Sequence, residues 1–163
     1  IVGPLDESKA DAITPADATT AGVADVCRFV GMRNDMPAMY ALMDVFVLPS
    51  HREGVPRSPM EASAAGRPCI VTDVRGCREV VQHERTGLVV PVQQPRALAD
   101  AVIRLLANPV EAASWGAAAE VLAVEQFDEQ RVFATVAEEY EALRLRLLPQ
   151  VPGVRPVTEA GAR

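Results

Sequence analysis

The sequence has little of what nucleic-acid-binding and membrane-spanning proteins use. Lysine occurs once, at Lys9, and the 16 basic residues are outnumbered by 22 acidic ones, which gives a net charge of −6. Without a basic stripe, a nucleic-acid partner is not expected. No apolar run approaches the ~20 residues of a membrane-spanning helix, and no signal peptide opens the chain. We expect a cytoplasmic protein, although a chain that starts inside a longer protein would carry any export signal upstream.

Cysteine and histidine are too few and too scattered to indicate a metal site or a nucleophile. Cys27, Cys69 and Cys77 form no C-x-x-C pair and have no histidine at ligand spacing, so we expect free, buried thiols in a reducing compartment. His51 and His83 belong to no triad pattern, and no nucleophile-elbow sequence is present. The sequence therefore predicts no bound metal and surface positions for both histidines.

Short apolar segments rich in β-branched residues alternate with longer helical patterns, which is typical of an α/β fold with parallel strands. At 49% apolar residues, the chain is long enough for one hydrophobic core. Strands are predicted at residues 26–30, 45–48, 69–72 and 88–92. Their lack of alternation indicates burial on both faces. Ile1-Val2-Gly3 resembles the end of a further strand, so we expect the chain to begin inside a domain.

Helices are predicted at residues 36–43, 59–65, 77–82, 95–107 and 110–124. The clearest is 95–107, whose apolar residues share one face and which stops at Asn108-Pro109. A last helix places five apolar residues on one stripe: Val132, Val136, Tyr140, Leu143 and Leu147. The composition then becomes rich in Pro and Gly, so residues 149–163 are predicted to be a disordered tail and residues 1–148 a partial domain.

Residues 53–61 carry the most specific chemical pattern. They follow a predicted strand, and the carboxyl edge of a parallel sheet is where α/β folds bind ligands. Glu53 lies in a loop and Glu61 in the first turn of a helix, with Gly54 and free backbone amides between them. Carboxylates accept hydrogen bonds from sugar hydroxyls, and the first N–H groups of a helix attract phosphate. The segment predicts a site for a sugar nucleotide.

A local interpretation of both acids is also open. Ser58-Pro59-Met60-Glu61 fits a capping box in which Ser58 is the N-cap residue and Glu61 lies at N3. Glu53 is equally compatible with a solvated loop residue. Spacing alone does not separate the two interpretations.

A series of segments in order resembles the family-4 glycosyltransferases of the GT-B fold. They are residues 29–40, 44–50, 53–68, 72–73, 76–81 and 86–91, and the resemblance covers about residues 1–148. It implies a retaining transferase made of two Rossmann-like halves. This chain is similar to most of the C-terminal, donor-binding half, a doubly wound parallel sheet followed by a C-terminal helix. The N-terminal acceptor domain is the implied partner of this half.

The resemblance also implies a role for each site residue. Glu53 holds hydroxyls of the transferred sugar and has the catalytic role of orienting it and stabilising charge, not that of a nucleophile. Glu61 binds the ribose of the donor. The backbone of residues 54–58 lines the sugar and diphosphate, and Pro56 has no N–H to donate. The donor-binding set is Glu61, Gly54, Val55, Pro56, Arg57, Ser58, Gly31, Arg33, Asp35 and Gly76.

Within that set, the loop at Gly31, Arg33 and Asp35 is implied to hold the base, mainly through its main chain. Gly76 is expected in a second ligand-facing loop, although turn chemistry explains a glycine there equally well. Family members neutralise the diphosphate with an Arg and a Lys near the first strand, a motif that Lys9 does not match. Arg57 or Arg75 is an alternative, but solvated side chains are commoner at such positions.

The implied reaction transfers a hexose from a nucleotide diphosphate sugar to an acceptor hydroxyl with retention, without a metal or other cofactor. The acceptor is an unknown glycan or lipid-linked acceptor, in cell-envelope or exopolysaccharide biosynthesis, and the inner face of the membrane is an alternative location. We expect the isolated chain to be inactive. Two other functions stay open, a non-catalytic nucleotide-sugar-binding module and a sugar-nucleotide 2-epimerase of the same fold. A receiver domain is disfavoured because Lys9 is the only lysine.

Overall fold

The computed structural model describes residues 1–4 and 12–147. The predicted tail at residues 149–163 and the single lysine, Lys9, lie outside the described residues. The chain divides into two compact units, Ile1–Met43 and Asp44–Arg163.

The first unit contains two short helices, α1 (Pro15–Thr20) and α2 (Met36–Ala41). Helix α1 was not predicted, although Thr14 and Asp17 form a capping box at its start. The backbone N–H of Thr14 donates to Oδ2 of Asp17 at 2.7 Å. This bond satisfies one of the unpaired backbone groups that a helix start leaves.

The predicted strand at residues 26–30 is wrong. Residues 24–26 form turns and residues 27–30 are irregular. The segment nevertheless runs beside the first residues of the chain, because the N–H of Val30 donates to the Ile1 carbonyl at 3.1 Å and that of Gly3 to the Gly31 carbonyl at 3.0 Å. These few bonds join the two segments without forming a regular ladder, so β-branched composition overstated the local structure.

The second unit is built on a parallel sheet. Its described strands are β1 (Phe46–Leu48), β2 (Cys69–Thr72) and β3 (Gly87–Val90), in the spatial order β1-β2-β3. Helix α3 (Arg57–Ala64) joins β1 to β2, and α4 (Arg75–Arg78) joins β2 to β3. The predicted α/β class with parallel strands is confirmed.

Three longer helices follow the sheet: α5 (Pro95–Ala107), α6 (Pro109–Phe127) and α7 (Glu129–Leu147). Helix α5 has the predicted bounds, and α6 is longer than predicted at both ends. The helix predicted at 77–82 instead begins two residues earlier, as α4, and ends at Arg78. It starts there because the N–H groups of Cys77 and Arg78 both donate to the Val74 carbonyl.

The core of the second unit lies between the sheet and α5 and α6. Its buried residues come from both strands and helices: Ile70, Leu88, Val90, Ala101, Leu105, Ala112 and Trp115. Cys69, the neighbour of Ile70, faces the other side of the sheet, where its Sγ lies 3.6 Å from Oγ of Ser63 in α3. Each large apolar side chain buried in this way contributes about 1.5–3 kcal/mol. Helices therefore cover both faces of β2, and the loops that follow β1 and β2 meet at its carboxyl edge.

The outer edge of β3 is covered by the segment at residues 82–85. The N–H of Val89 donates to Nδ1 of His83 at 3.0 Å. The N–H of Glu84 donates to the Gly87 carbonyl at 2.8 Å. The Val89 N–H and the Gly87 carbonyl of this strand are thus hydrogen-bonded to the segment that precedes it.

Arg104 of α5 connects three parts of the second unit. Its Nε and Nη2 donate to the carboxylate of Glu111 at 3.1 and 2.9 Å, and its Nη1 donates to Glu84 at 2.6 Å. The guanidinium carbon also lies 5.1 Å from the ring centroid of Trp115. The hydrogen bond and charge of Arg104 hold the pKa of Glu84 below the ordinary value of a glutamate.

We expect R104Q to return the pKa of Glu84 toward the ordinary value, measured by NMR titration of the carboxyl group. Because the pKa is lowered in the folded state, this interaction stabilises the fold above the ordinary glutamate pKa and is lost as the pH falls through the folded-state pKa. R144Q, which breaks a separate pair with Glu141, is the control and leaves the Glu84 titration unchanged. A pKa of Glu84 in R104Q that equals the pKa in the wild type contradicts the prediction.

Candidate active site

The carboxylate of Glu53 is held from the ends of two strands. Oγ of Ser50, which lies two residues after β1, donates to Oε1 of Glu53 at 2.7 Å. Oγ1 of Thr72, the last residue of β2, donates in turn to the Ser50 carbonyl. Glu53 is half-buried, and this chain of bonds fixes its Oε1. Ser50 and Thr72 were not predicted as site residues, because their only sequence signal is their position at the ends of predicted strands.

Gly76 supports the backbone that carries Glu53. It is buried, and a Cβ at this position would lie 1.8 Å from the Gly54 carbonyl oxygen and 2.7 Å from that of Glu53. A glycine is therefore required for α4 to approach the loop this closely. This packing contact gives Gly76 a structural role that the sequence analysis did not foresee, and donor binding by Gly76 stays a prediction.

Gly54, by contrast, faces open space. A Cβ on Gly54 would meet no atom within 4 Å, and the residue is exposed. The next residue, Val55, has 54% of its surface exposed, whereas Pro56 is buried. The loop backbone between Glu53 and α3 is thus accessible from one side and anchored on the other, which suits close approach by a ligand.

The predicted capping box at residues 58–61 is wrong. Helix α3 begins at Arg57, with Pro56 as its N-cap residue, and no side chain caps it by a hydrogen bond. Ser58 therefore lies inside the first turn and Glu61 in the second. Proline is compatible with both the N-cap and the first turn, because no N–H is needed at these positions. The local interpretation of Glu61 as a capping residue is excluded.

The start of α3 exposes a small set of backbone donors. Pro56 and Pro59 have no N–H, so the first turn offers the amides of Arg57 and Ser58. These amides lie at the positive end of the helix dipole, worth about half an elementary charge. The first turn can therefore donate two hydrogen bonds to an anionic group.

The two acids line neighbouring cavities. Glu53 lines a cavity of about 770 Å³ at the carboxyl edge of the sheet. Glu61 and Arg57 line a second cavity of about 500 Å³ between α3, α6 and the start of α7. Met60 and Phe127 line both cavities, so the two cavities adjoin at these side chains.

The predicted base-binding residues lie in the first unit. Gly31 has φ of 65°, a left-handed conformation that favours glycine. Nε and Nη2 of Arg33 donate to the two carboxylate oxygens of Asp35 at 2.8 and 2.5 Å. This bidentate pair holds the pKa of Asp35 below its usual range. Both charged side chains are therefore engaged with each other, and base binding by the main chain of this loop stays a prediction.

The thiols beside the site are expected to be unreactive. Burial raises the pKa of Cys69 to about 12, and burial together with the charge of Glu53 raises the pKa of Cys77. Only Cys27 is partly exposed among the three. Titration of the folded protein with a thiol-reactive disulfide at mildly alkaline pH should label one thiol, and denaturant should expose all three. Rapid labelling of two or three thiols before unfolding would contradict the burial of this region.

Across residues 1–4 and 12–147, no helix is long and apolar enough to span a membrane. The same residues contain no group of three or more His, Cys, Asp or Glu side chains arranged to hold a metal ion.

Comparison with known proteins identifies the family. A family described as glycosyl transferases group 1 matches residues 1–108. A GDP-mannose-dependent alpha-(1-6)-phosphatidylinositol monomannoside mannosyltransferase of Mycobacterium tuberculosis is 36% identical over 126 residues, which are 72% of this chain and 33% of that protein. The lipopolysaccharide core biosynthesis mannosyltransferase LpsB of Rhizobium meliloti is 32% identical over 125 residues, 76% of this chain and 36% of LpsB. The chain thus spans about a third of the length of these relatives.

Solved structures share the fold. Sucrose-phosphate synthase from Thermosynechococcus elongatus superposes with a TM-score of 0.81 at 28% identity, over 89% of this chain and 38% of that one. HepE of Anabaena, solved in complex with UDP, gives a TM-score of 0.81 at 23% identity, over 86% of this chain and 40% of HepE. The predicted Rossmann-like architecture is confirmed, and the chain belongs to the group 1 glycosyltransferases of the GT-B type.

Proposed function

We propose that this chain is the donor-binding part of a retaining glycosyltransferase that transfers a hexose from a nucleotide diphosphate sugar. The observation that carries the proposal is the carboxylate of Glu53, fixed by Ser50 at the carboxyl edge of the sheet and adjoining the open backbone of Gly54. A fixed, ionised acceptor of this kind suits sugar hydroxyls, because hydrogen bonds to a charged group are stronger than those between neutral groups.

In the proposed mechanism, Glu53 accepts hydrogen bonds from the hexose, Glu61 accepts them from the ribose, and the amides of Arg57 and Ser58 donate to the diphosphate. The bond between the anomeric carbon and the diphosphate oxygen breaks, and the acceptor oxygen bonds to that carbon on the same face. The acceptor proton passes to the departing diphosphate. The protein contributes positioning and electrostatic stabilisation, and we propose that no metal or other cofactor takes part.

The relatives suggest the classes of donor and acceptor. The name of the Mycobacterium tuberculosis relative specifies GDP-mannose and phosphatidylinositol monomannoside. A further relative, from Escherichia coli and 36% identical over 81 residues, is named a UDP-Gal:alpha-D-GlcNAc-diphosphoundecaprenol alpha-1,3-galactosyltransferase. We propose a UDP- or GDP-linked hexose as donor and a glycan or lipid-linked sugar as acceptor, in cell-envelope or exopolysaccharide biosynthesis at the inner face of the membrane. An N-terminal acceptor domain would complete the enzyme.

Titration calorimetry of the 163-residue chain with UDP-glucose, GDP-mannose, UDP and GDP tests the proposal. We expect one nucleotide sugar and its nucleoside diphosphate to bind. E61Q should weaken the binding of both ligands about tenfold, because the charge-assisted bond to the ribose that it loses is common to both. E138Q, on α7, is the matched control and should bind like the wild type. If none of the four ligands binds, the proposal is contradicted.

An activity measurement tests the 2-epimerase alternative and the expected inactivity of the isolated chain. We expect the isolated chain to transfer no sugar, and the relatives compared above are transferases, which favours a transferase over an epimerase or a non-catalytic module. Incubation of each nucleotide sugar with the chain, followed by product analysis, checks this expectation. Epimerised donor in the absence of acceptor would instead support the 2-epimerase, and sugar transfer by the chain alone would contradict its expected inactivity.

A further inference from the structure

We propose that Arg75 binds the diphosphate of the donor in the cavity that Glu53 lines. This inference rests on the proposed function, since it assigns a cation to the same site. It concerns the first residue of α4, which lies after β2 at the same sheet edge as the Glu53 loop.

The position of Arg75 is fixed by its neighbour. Gly76 packs so closely on the Glu53–Gly54 backbone that a Cβ there would lie 1.8 Å from the Gly54 carbonyl oxygen. The start of α4 is therefore held directly against the loop. Arg75 is exposed and lines the cavity of about 770 Å³ together with Glu53 and Gly54. Its guanidinium can reach a ligand that contacts the Glu53 carboxylate.

The two arginines of α4 are used differently. Arg78 forms an ion pair with Asp73 and lines another cavity, near His83. For Arg75, the described part of the chain shows no hydrogen bond or ion pair, and its side chain keeps all its N–H donors for a ligand. One helix thus carries a structural arginine and an unpaired one, and the unpaired one faces the candidate site.

The charges that line the cavity explain why a cation is needed. Glu53 and Glu79 bring two negative charges, and Arg75 is the cation among the residues that line it. A diphosphate entering a cavity lined by two carboxylates is repelled unless a positive charge is close. A guanidinium suits this task because it binds phosphate oxygens through two parallel hydrogen bonds. Arg57 lines the neighbouring cavity with Glu61, so it does not replace Arg75 here.

Titration calorimetry with the nucleoside diphosphate that binds the wild type, and with the matching nucleoside, tests the assignment. We expect R75Q to weaken binding of the diphosphate about tenfold and to leave binding of the nucleoside unchanged. R75K should retain part of the affinity, because it keeps the charge but loses the paired hydrogen bonds. R78Q is the matched control on the same helix, and circular dichroism confirms that each variant is folded.

The outcomes distinguish this inference from the proposed function. If the wild type binds a nucleoside diphosphate and R75Q binds it equally well, Arg75 does not contact the phosphates, and the proposed function stands without it. Equal weakening of the nucleoside and the diphosphate in R75Q also overturns the inference, because it indicates a general disturbance of the site. If the wild type binds no nucleoside diphosphate, the proposed function fails and the inference fails with it.

Discussion

Replacing Gly76 with alanine is expected to destabilise the second unit by about 3 kcal/mol, at the upper end of the cost of overpacking. The added Cβ would lie 1.8 Å from the Gly54 carbonyl oxygen and 2.7 Å from that of Glu53, far inside van der Waals contact. Both obstacles are backbone atoms, so relief requires α4 or the Glu53 loop to move. Urea denaturation followed by circular dichroism measures the loss of stability, and calorimetry with a nucleotide sugar should show that binding is lost as well.

The matched control is G54A, on the other side of the same contact. A Cβ on Gly54 meets no atom within 4 Å, so its free energy of unfolding should change by no more than about 0.5 kcal/mol. The same alanine would stand on the surface that the ligand approaches, so weaker donor binding without loss of stability is expected. If G76A were as stable as G54A, the close packing of α4 on the loop would be refuted.

Replacing Glu53 with glutamine is expected to weaken binding of the nucleotide sugar about tenfold and to leave binding of the nucleoside diphosphate unchanged. The amide oxygen of glutamine can still accept the hydrogen bond from Ser50, so the side chain keeps its place. What is lost is the charge that strengthens bonds from the sugar hydroxyls. Titration calorimetry with both ligands measures the difference directly.

Two further variants identify the cause of that loss. S50A removes the donor that fixes the Glu53 carboxylate, so a smaller loss that is also confined to the nucleotide sugar is expected. E61Q should instead weaken the binding of both ligands equally, because the proposed contact of Glu61 is the ribose, which both ligands contain. If E53Q also weakened both ligands equally, Glu53 would not be the residue that binds the sugar.

Elements with complete local signals were predicted well. Helix α5 (Pro95–Ala107) has its predicted bounds because a proline starts it, one face is apolar, and Asn108-Pro109 ends it. Strand β2 (Cys69–Thr72) is also as predicted, since all four residues are buried, as a central parallel strand requires. In both cases, local preference and tertiary burial favour the same structure.

Elements whose signals compete were predicted less well. Residues 26–30 are β-branched and apolar in part, yet Val26 is 74% exposed and no regular ladder forms there. Ser58 has the residue type of an N-cap, but Pro56, with ψ of 130°, already has the extended backbone of one, so α3 starts earlier. Thr14 forms the capping box that was overlooked, because α1 is too short to show a periodic apolar face.

The candidate site was predictable in its residues but not in its support. Glu53, Gly54 and Glu61 stand out in the sequence through their spacing and the strand before them. The contact of Gly76 with Gly54, and the bond from Thr72 to Ser50 across 22 residues, join segments that are distant in the chain. Such tertiary contacts leave no periodic pattern in a single sequence. Only the folded backbone shows that they set the position of Glu53.

The imidazole that accepts the Val89 N–H has a consequence for self-association. The unpaired backbone groups of an edge strand can form hydrogen bonds with a strand of a second chain, which is a common route to aggregates. With His83 bound to Val89, and the Glu84 amide bound to Gly87, an incoming strand would first have to displace the local bonds that cover this edge. The short loop before β3 therefore protects this edge of the sheet against strand pairing between molecules.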